Sequence, residues 1–536
     1  MSTRVSTPFL ASFVSRLALL GAVSGLVACG SDDTPADSMG TAGTAETGSG
    51  TSGDGDGDAT TTTTTTGDGD GDMTTTGDGD GDSGCGQPGC PCEDDADCGN
   101  GLICSAGMCK ETVCGDLVVE GDEECEDGNA NDGDGCDNDC TFTRVNRVEA
   151  GVHHTCALID GGSIVCWGRG EFGQLGYGNT NNVGLAEYPS DIGPVPLPTG
   201  VVKLDLGGQH TCGVFDDGAL RCWGLNDRGQ LGYGNIDNFG DDEPLGTLPA
   251  ISVPTAIDVE ASERHTCARV GNGEVRCWGA NDYGQLGYAS LALEMLSPGG
   301  PVAVGSSVSG LAGGYWHDCA RLIDGGLRCW GRNTSGQLGL GTTANIGDDE
   351  APNAAGIVQL IPPALPDNTE VVSVSLGGNH GCAVLGGGEL MCWGANGSGQ
   401  LGYGDLNTTG DDDTPQTRNP VDIGGPVAEV VCGANHTCAR LEGGDVYCWG
   451  DNSVGQLGLG NVDNVGDDEL PTTVGPVQIG GQVVQMTAGG NHTCVLTTDA
   501  EVRCWGQNNF SQLGLGTSVT VGDNETPSQV DPVSVL

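Results

Sequence analysis

The chain is poor in aromatic residues and in basic charge. Aromatic side chains make up 4% of its 536 residues, and 18 lysines and arginines oppose 74 acidic residues, which gives a formal net charge of −56. Only Lys110 and Lys203 are lysines. Because such a polyanion repels nucleic acid and anionic lipid surfaces, we expect neither as a direct partner.

Long apolar runs are also absent, apart from one short run near the N-terminus. Leu17–Ala28 follows Arg4 and Arg16 and is too short to be a lasting membrane anchor. It ends in the sequence LVAC, which resembles a bacterial lipobox, where the cysteine is lipidated and becomes the first mature residue. We therefore predict a lipoprotein signal peptide over residues 1–28 and lipidation of Cys29, with an ordinary cleaved signal as the alternative. The implied location is the outer membrane or the cell surface, contacted only through the lipid anchor.

Residues 29–84 hold few apolar side chains. They contain a threonine run, Thr60–Thr66, and three copies of GDGDGD that begin at Gly53, Gly67 and Gly77. Since such a segment cannot bury a core and its carboxylates repel one another, we predict a disordered tether. The alternative is that calcium orders the aspartate clusters.

Cysteine, by contrast, is abundant, and ten of the 26 cysteines lie between Cys85 and Cys140. This density is typical of small modules that depend on disulfides because their hydrophobic core is too small. We place these modules at residues 85–142 and leave their pairing open, with zinc as the alternative. The stretch from Val113 to Cys140 resembles a cysteine-rich repeat of large bacterial surface proteins, which implies exposure and not activity.

Residues 143–536 repeat one pattern seven times. The first copy reads HTCALIDGGSIVCWGRGEFGQLGYG from His154 to Gly178, and the copies follow at intervals of 52 to 63 residues. Two short apolar runs flank a glycine-containing turn, as in a β-hairpin, and no part of the period has the spacing of an amphipathic helix. Seven small antiparallel sheets of this kind form a propeller. We therefore predict an all-β chain, a seven-bladed β-propeller preceded by a small disulfide-rich region and a disordered linker.

Each copy carries two cysteines ten positions apart. In a hairpin whose turn is centred on Gly161, Cys156 and Cys166 lie directly opposite each other, within disulfide range. The alternative is seven pairs of buried reduced thiols, and Cys432 is left over as a small buried side chain. We predict one cross-strand disulfide per blade: Cys156–Cys166, Cys212–Cys222, Cys267–Cys277, Cys319–Cys329, Cys382–Cys392, Cys438–Cys448 and Cys494–Cys504.

Each copy also has one histidine two residues before its first cysteine. A catalytic histidine usually occurs once among unlike residues, whereas these seven are equivalent. We therefore predict a recurring structural hydrogen bond inside each sheet, and we interpret the tryptophan of each Cys-Trp-Gly triplet as packing between blades. The histidines are His154, His210, His265, His317, His380, His436 and His492.

The unit GG-x-HTCA…GG…CWG…GQLG-G resembles the repeat of the regulator of chromosome condensation family. The resemblance covers about 390 residues and recurs seven times. It implies a seven-bladed β-propeller, and the family's eukaryotic founder is a guanine-nucleotide exchange factor on chromatin. Because an exported acidic chain meets neither a GTPase nor DNA, that activity is not carried over. Related secreted bacterial propellers act as protein binders, including β-lactamase inhibitors.

An acidic loop follows Gln-Leu-Gly in five of the seven copies, as in NIDNFGDDEP from Asn235. We favour a turn in which aspartate side chains accept backbone N–H groups. The alternative is a calcium site, since calcium takes six to eight oxygen ligands; no other cofactor is expected. The candidate ligands are Asp241, Asp242, Glu243, Asp348, Asp349, Glu350, Asp411, Asp412, Asp413, Asp467, Asp468 and Glu469.

The last copy ends early. Pro532–Val535 matches Pro476–Ile479 of the copy before it, but the strand that follows there, Val483–Met486, has no successor at the C-terminus. Its counterpart is Val145–Val148, at the front of the domain. We therefore expect the N- and C-terminal strands to share one sheet and close the ring.

Together these features favour a non-catalytic, surface-tethered monomer that binds a protein or a glycan outside the cell. The sequence has no HExxH motif, no nucleophile elbow and no obvious polar residue that is unique to one blade and pairs with another. The alternatives are an inhibitor of a secreted enzyme, a guanine-nucleotide exchange factor by family resemblance, and a propeller hydrolase or lyase. Departures from the repeat that cluster on one face would indicate a binding surface.

Overall fold

The computed structural model describes residues 102–105, 108–111, 125, 141–366 and 370–536. In the cysteine-rich region, β1 (Leu102–Ser105) and β2 (Met108–Glu111) form an antiparallel hairpin whose register sets Cys104 opposite Cys109. The predicted signal peptide, Cys29, the tether and most of the cysteine-rich modules lie outside the described residues and stay predictions. Within the described part of the chain, no helix is long and apolar enough to cross a membrane.

The remainder is an all-β, seven-bladed propeller, as predicted. Each blade has an inner, a middle and an outer strand that follow one another along the chain and pair antiparallel. Inner strands of neighbouring blades contact each other around the axis. Blades 1 to 7 comprise, in order, β3 (Val145–Ala150), β4 (His154–Ile159) and β5 (Ile164–Gly168); β6 (Val201–Leu206), β7 (His210–Phe215) and β8 (Leu220–Gly224); β9 (Ala256–Ala261), β10 (His265–Val270), β11 (Val275–Ala280) and a short fourth strand, β12 (Glu294–Met295); β13 (Val308–Gly313), β14 (His317–Leu322) and β15 (Leu327–Gly331); β16 (Val371–Leu376), β17 (His380–Leu385) and β18 (Leu390–Gly394); β19 (Val427–Cys432), β20 (His436–Leu441) and β21 (Val446–Gly450); β22 (Val483–Ala488), β23 (His492–Thr497) and β24 (Val502–Gly506). Two single-turn helices, α1 (Pro189–Ile192) and α2 (Pro471–Val474), lie between blades in the sequence.

The strands differ in burial according to their place in the blade. Middle and outer strands, such as β4 and β5, are buried along nearly their whole length because blades stack on both of their faces. Inner strands alternate, so that in β3 Val148 is buried and Arg147 is exposed. Each inner strand also contains a register shift of the β-bulge type. The inner strands therefore turn one face toward the axis.

Tryptophan and glycine of neighbouring repeats form one contact between blades. Trp278 is fully buried, and its indole N–H donates to the carbonyl of Gln230 in the preceding blade at 2.9 Å. Gly232, in the same turn as Gln230, has a φ of 79°, and a Cβ there would lie 2.7 Å from Trp278 Nε1. Because a side chain at Gly232 would displace the indole, the Gln-Leu-Gly and Cys-Trp-Gly motifs belong to one packing unit.

The ring closes by packing of blade 7 against blade 1, and the expectation of a shared sheet is wrong. The Val533 N–H donates to the carbonyl of Val502 at 2.8 Å, so the C-terminal segment belongs to blade 7. Val145–Ala150 pairs instead with the middle strand of blade 1. Every blade is therefore a continuous piece of chain. At the seam, Gln485 Nε2 donates to the carbonyl of Val148 at 2.7 Å, and the Val148 N–H donates to Gln485 Oε1 at 2.9 Å.

Candidate functional site

The seven loops between inner and middle strands emerge at one end of the propeller. In each blade, the residue after Trp-Gly donates its N–H to the carbonyl of the residue before the histidine, as Arg169 does to His153 (3.0 Å) and Arg332 to Trp316 (2.9 Å). Side chains of different loops therefore lie side by side. We call this end the loop face and define it by five positions per repeat: the two residues before the histidine, the residue after Trp-Gly, and the two residues that precede the Gly/Ser-Gln-Leu turn.

The seven histidines lie next to the loop face and are fully buried. Six of them bond to the next blade and not inside their own sheet, which corrects the sequence expectation. His154 Nε2 lies 2.9 Å from Thr211 Oγ1, and His492 Nε2 lies 3.0 Å from Thr155 Oγ1 across the seam. Burial lowers the pKa of His154 to about 3, so the ring stays neutral near pH 7. These histidines are structural.

Blade 4 breaks the histidine pattern twice. First, blade 4 supplies Asp318, and not a threonine, as the partner of His265 in blade 3. Asp318 Oδ2 lies 2.7 Å from His265 Nε2, and both side chains are 2% exposed or less. His317 Nε2 has no hydrogen-bond partner among the described residues, because Gly381 stands where other blades have threonine. Cys267 lies near His265 and Asp318, but its sulfur is in a disulfide, so the three do not form a metal site.

Departures from the repeat cluster on the loop face in one arc of blades. Blades 5 and 6 carry glycine, alanine, asparagine, serine, valine and aspartate at the defining positions. Blades 7, 1, 2, 3 and 4 carry aromatic residues and arginines there. We call this set the aromatic–arginine arc: Phe510, His153, Arg169, Phe172, Arg228, Arg264, Tyr283, Tyr315, Trp316 and Arg332.

Side chains of the arc contact each other across blade boundaries. Between blades 3 and 4, the rings of Tyr283 and Trp316 meet edge-on with centroids 5.8 Å apart, and the Arg332 guanidinium lies 5.1 Å from the Tyr283 ring. Arg264 Nη1 bonds Asp227 Oδ2 at 2.7 Å between blades 3 and 2. These contacts hold the side chains of the arc in place on the loop face.

The same packing recurs where blade 7 meets blade 1. The guanidinium of Arg169 lies 4.9 Å from the Phe510 ring and 5.2 Å from the Phe172 ring. His153 packs on Phe510 with ring centroids 5.0 Å apart. Burial lowers the pKa of His153 to about 4, with a further contribution from Arg169, so this ring is neutral near pH 7.

The loop face opens into a cavity of about 350 Å³ on the propeller axis. All seven inner strands line it. Glu149, Asp205 and Glu260 come from blades 1 to 3, whereas the corresponding positions of blades 4 to 7 are not charged. Burial, followed by the nearby charge of Glu149, raises the pKa of Asp205 to about 7. Burial and the charge of Asp205 raise the pKa of Glu260 well above its usual range.

The predicted cysteine pairs lie in the blade cores, away from the loop face. The structure joins all seven as disulfides between residues ten apart in sequence, with Cα atoms 4.1 Å apart. Cys156 stands opposite Cys166 in the strand register, as the hairpin interpretation requires. Cys432 is buried and free, and its Sγ donates to the carbonyl of Ser375 at 3.4 Å.

The acidic loops bring the candidate calcium ligands together in four triplets. In each triplet, the carboxylate oxygens lie within 4.8 Å of one another. Their carboxylates already accept backbone hydrogen bonds: Asp413 Oδ1 from the Gly410 N–H at 2.7 Å, and Asp411 Oδ1 from the Asp412 N–H at 3.1 Å. Those are the bonds that the turn interpretation requires. Burial, together with the neighbouring Asp349, raises the pKa of Glu350 to about 7. Calcium binding here stays a prediction.

Sequence reasoning missed the charged pairs between blades. Lys203 Nζ in blade 2 donates to Asp258 Oδ1 in blade 3 at 2.7 Å, and Arg264 reaches back from blade 3 to Asp227. These residues correct the statement that no polar residue pairs one blade with another. A comparison of the copies position by position could have found them, because blade 2 has Lys203 where blades 4 and 5 have Gly310 and Ser373.

Comparison with known families and proteins agrees with this architecture. The family model described as RCC1-like domain matches residues 96–417, and models of the regulator of chromosome condensation (RCC1) repeat match residues 427–456, 483–512 and 443–496.

Similar proteins cover most of the chain. It is 30% identical over 397 residues to the ultraviolet-B receptor UVR8 of Arabidopsis thaliana, which spans 73% of this chain and 83% of the receptor. It is 28% identical over 373 residues to the mitochondrial RCC1 domain-containing protein RUG3 of the same plant, across 66% and 79% of the two chains. The match to the probable E3 ubiquitin-protein ligase HERC3 of Homo sapiens, 30% over 356 residues, covers 56% of this chain but only 32% of the ligase.

Solved structures share the fold. Human WBSCR16 superposes with a TM-score of 0.53 at 20% identity, covering 66% of this chain and 86% of that one. Yeast RCC1 (Prp20), solved bound to Kap60, gives a TM-score of 0.52 at 20% identity, covering 65% and 78%. The family model spans more than half of the chain, and the repeat, the blade contacts and the ring geometry match it. The chain therefore belongs to the RCC1-like family of β-propellers.

Proposed function

We propose that this protein is a non-catalytic binding protein whose loop face docks a protein partner through the aromatic–arginine arc. The observation that carries the proposal is the clustering of departures from the repeat. Positions that contribute only to the fold need the same residues in all seven copies of the unit. The bulky departures of the loop face lie in five adjacent blades, which favours a binding role for that face.

The composition of the arc suits a protein interface. Residues that dominate binding energy are enriched in tryptophan, tyrosine and arginine, and they are most effective when their side chains are ordered beforehand. Tyr283, Trp316 and Arg332 already contact one another. Because their side chains are partly buried in the free protein, they lose little conformational freedom on binding.

The relatives support a binding or regulatory role. UVR8 is named as a receptor, and yeast RCC1 was solved with a protein bound. The chain matches about a third of HERC3, so the ligase activity in that name has no support here. Guanine-nucleotide exchange rests on family resemblance alone, and no residue of the loop face argues for it.

We further propose that the propeller is displayed outside the cell on a lipid-anchored tether. The support is the LVAC sequence at Cys29, the low-complexity segment after it, and seven disulfide pairs, which persist in oxidising compartments. Replacing Cys29 with serine should abolish labelling by a clickable fatty acid and release the protein from the membrane fraction. Unchanged labelling of the serine variant would contradict the lipid anchor.

The docking proposal is tested with substitutions taken from other blades. Trp316→Asn introduces the residue that blades 5, 6 and 7 have at this position, and Tyr283→Ser introduces that of blades 4 and 5. The matched control, Ile323→Asp, changes an exposed apolar residue at the opposite end of blade 4 to the residue of blade 1. Each full-length variant is immobilised and challenged with extracellular protein extract, and the retained protein is then purified for affinity measurement.

We expect that the wild type and Ile323→Asp retain the same protein. Its affinity for the Trp316→Asn/Tyr283→Ser variant should be weakened about thirtyfold or more. Equal affinity for all three would contradict docking through the arc. If glycosidase treatment of the extract abolishes retention, the loop face binds a glycan and not a protein surface. Inhibition of an enzyme by the purified chain would identify the partner as that enzyme.

A further inference from the structure

The axial cavity has a mainly polar lining with most of its charge on one side. Its charged residues are one arginine and five carboxylates: Arg147, Glu149, Asp205, Glu260, Glu263 and Glu429. Blades 4 to 7 add polar side chains and the apolar side chains of Leu311, Val374, Val431 and Met486. Four of the five carboxylates therefore belong to blades 1 to 3, and the cavity opens at the loop face.

Three of the five carboxylates lack a cationic partner. Arg147 bonds Glu149, and Arg440 Nε bonds Glu429 Oε2 at 3.2 Å. Among the ion pairs of the described residues, none includes Asp205, Glu260 or Glu263. Lys203 is paired with Asp258 and only partly offsets the raised pKa of Asp205 and Glu260, so carboxylates outnumber cations around the cavity.

The carboxylates without an ion pair are held mainly by backbone groups. Asp205 accepts the Ala261 N–H, and Glu260 Oε2 accepts the Gly313 N–H at 3.3 Å. Glu263 Oε2 is buried and has no hydrogen-bond partner in the part of the chain that the structure describes. A buried acceptor of this kind costs free energy unless a donor reaches it.

We propose that the axial cavity receives the ammonium group of a lysine side chain from the protein that docks on the loop face. The inference rests on the proposed function, because that docking delivers the side chain to the mouth. An ammonium donates up to three hydrogen bonds, which carboxylates of the wall such as Asp205 and Glu260 can accept, and its methylene stem can lie along the apolar side chains of blades 4 to 7. A divalent metal ion fits less well, since it requires a compact shell of oxygen ligands, and among the described residues no three cavity carboxylates have oxygens within 4.8 Å of one another.

The electrostatics of the cavity agree with this assignment. Burial, followed by the charge of Glu149, raises the pKa of Asp205 to about 7, and burial, followed by the charge of Asp205, raises the pKa of Glu260 well above its usual range. An ammonium group beside these carboxylates favours their ionised forms. A cation of this kind therefore offsets the cost of ionising them inside the cavity.

The test uses the full-length protein and 1,5-diaminopentane, which carries an alkylammonium group at each end. Calorimetric titration is performed at fixed ionic strength on the wild type, on Glu260→Gln and on the control Glu442→Gln, which makes the same charge change on an exposed turn of blade 6. We expect saturable one-site binding, weakened about tenfold or more by Glu260→Gln and unchanged by Glu442→Gln. 1-Pentanol should not compete.

Several results would overturn the assignment. The first is the absence of saturable binding by the wild type. The second is equal weakening in Glu442→Gln, which would indicate general attraction to an acidic chain. The third is displacement of the diamine by stoichiometric calcium. If the melting curve shows that Glu260→Gln does not fold, Asp205→Asn takes its place.

A second arm separates a partner's lysine from a free amine. Glu260→Gln should weaken capture of the loop-face partner about tenfold, and 1,5-diaminopentane should compete with that capture. Diamine binding without either effect would overturn the lysine side chain as the occupant. Because the calorimetric arm needs no partner, its failure leaves docking through the arc untouched, and failure of the Trp316→Asn/Tyr283→Ser experiment leaves the diamine result standing.

Discussion

At the scale of single residues, equivalent positions in the seven blades act as internal controls for one another. Six histidines meet threonine or aspartate of the next blade, and the seventh, His317, faces Gly381. The sequence predicted a structural role for these residues because they recur. It could not predict the partner, because a bond between blades depends on how the sheets stack and not on any spacing within the repeat.

Asp318 provides a direct test of the histidine ring. Asp318→Ala should lower the free energy of unfolding by about 1–3 kcal/mol, because His265 Nε2 then loses its buried partner. Asp318→Thr should be at least as stable as the wild type, since it restores the partner of other blades and removes a carboxylate that is only 2% exposed. Urea unfolding of both variants measures this. Equal stability of the two variants would contradict it.

The depressed histidine pKa values predict a pH dependence with a definite sign. Burial lowers the pKa of His210 to about 3, against about 6.5 in the unfolded chain, so unfolding takes up a proton below pH 6.5. The contribution of neutral His210 is complete above pH 6.5 and is lost progressively as the pH falls toward 3, at up to about 1.4 kcal/mol per pH unit.

His210→Gln isolates that contribution from the buried carboxylates, which titrate in the opposite sense. We expect the variant to be less stable than the wild type at pH 7, because the bond to Thr266 is altered, and the difference to shrink between pH 6.5 and pH 4. Urea unfolding at several pH values measures the difference. A gap that stays constant over this range would show that His210 does not have a lowered pKa.

At the scale of elements, the hairpin was predictable in detail. A turn centred on Gly161 fixes which residues face each other, so the register of Cys156 and Cys166 follows from counting. The loop face was not predictable in the same way. Val152, Glu263 and Tyr315 occupy one position of the repeat, but their common place at the mouth of the axial cavity depends on the closed ring.

The disulfides are testable element by element. Peptide mapping without reductant should join Cys156 to Cys166 and each later pair likewise, and thiol labelling after unfolding should find Cys432 as the one free cysteine among residues 141–536. Each bridge closes a short loop and should contribute about 2–3 kcal/mol in the chain-entropy model. Bridges between blades, or free thiols within the pairs, would refute the hairpin register.

The acidic loops distinguish the turn from the calcium site. Because their carboxylates accept backbone N–H groups, we expect identical melting curves of the propeller in excess chelator and in millimolar calcium. Calcium bound to the native loops would instead add about 2.7 kcal/mol per site at a hundredfold excess over the dissociation constant. If calcium does stabilise, Asp411→Asn should remove part of the effect, and an unaltered effect in that variant would place the ion elsewhere.

At the scale of the whole molecule, the repeat predicted the propeller but not the way its ends meet. Matching Pro532–Val535 to the preceding copy identified a segment correctly, yet it left open which blade that segment joins. The bond from Val533 to Val502 assigns it to blade 7. As a result the seam has no strand pairing across it and depends on the contacts found at most other interfaces between blades: an indole on a glutamine carbonyl, and a histidine on a threonine.

This equivalence predicts that the seam is as strong as an internal interface. Thr155→Ala removes the partner of His492 at the seam, and Thr211→Ala removes the partner of His154 between blades 1 and 2. In a closed ring both variants should lose about 1–3 kcal/mol, because each leaves a buried imidazole nitrogen unpaired. Both should keep one cooperative unfolding transition, which urea unfolding followed by tryptophan fluorescence can measure. If the ring were open in solution, Thr155→Ala would be nearly neutral while Thr211→Ala kept its full effect, because the seam threonine would already be exposed to water.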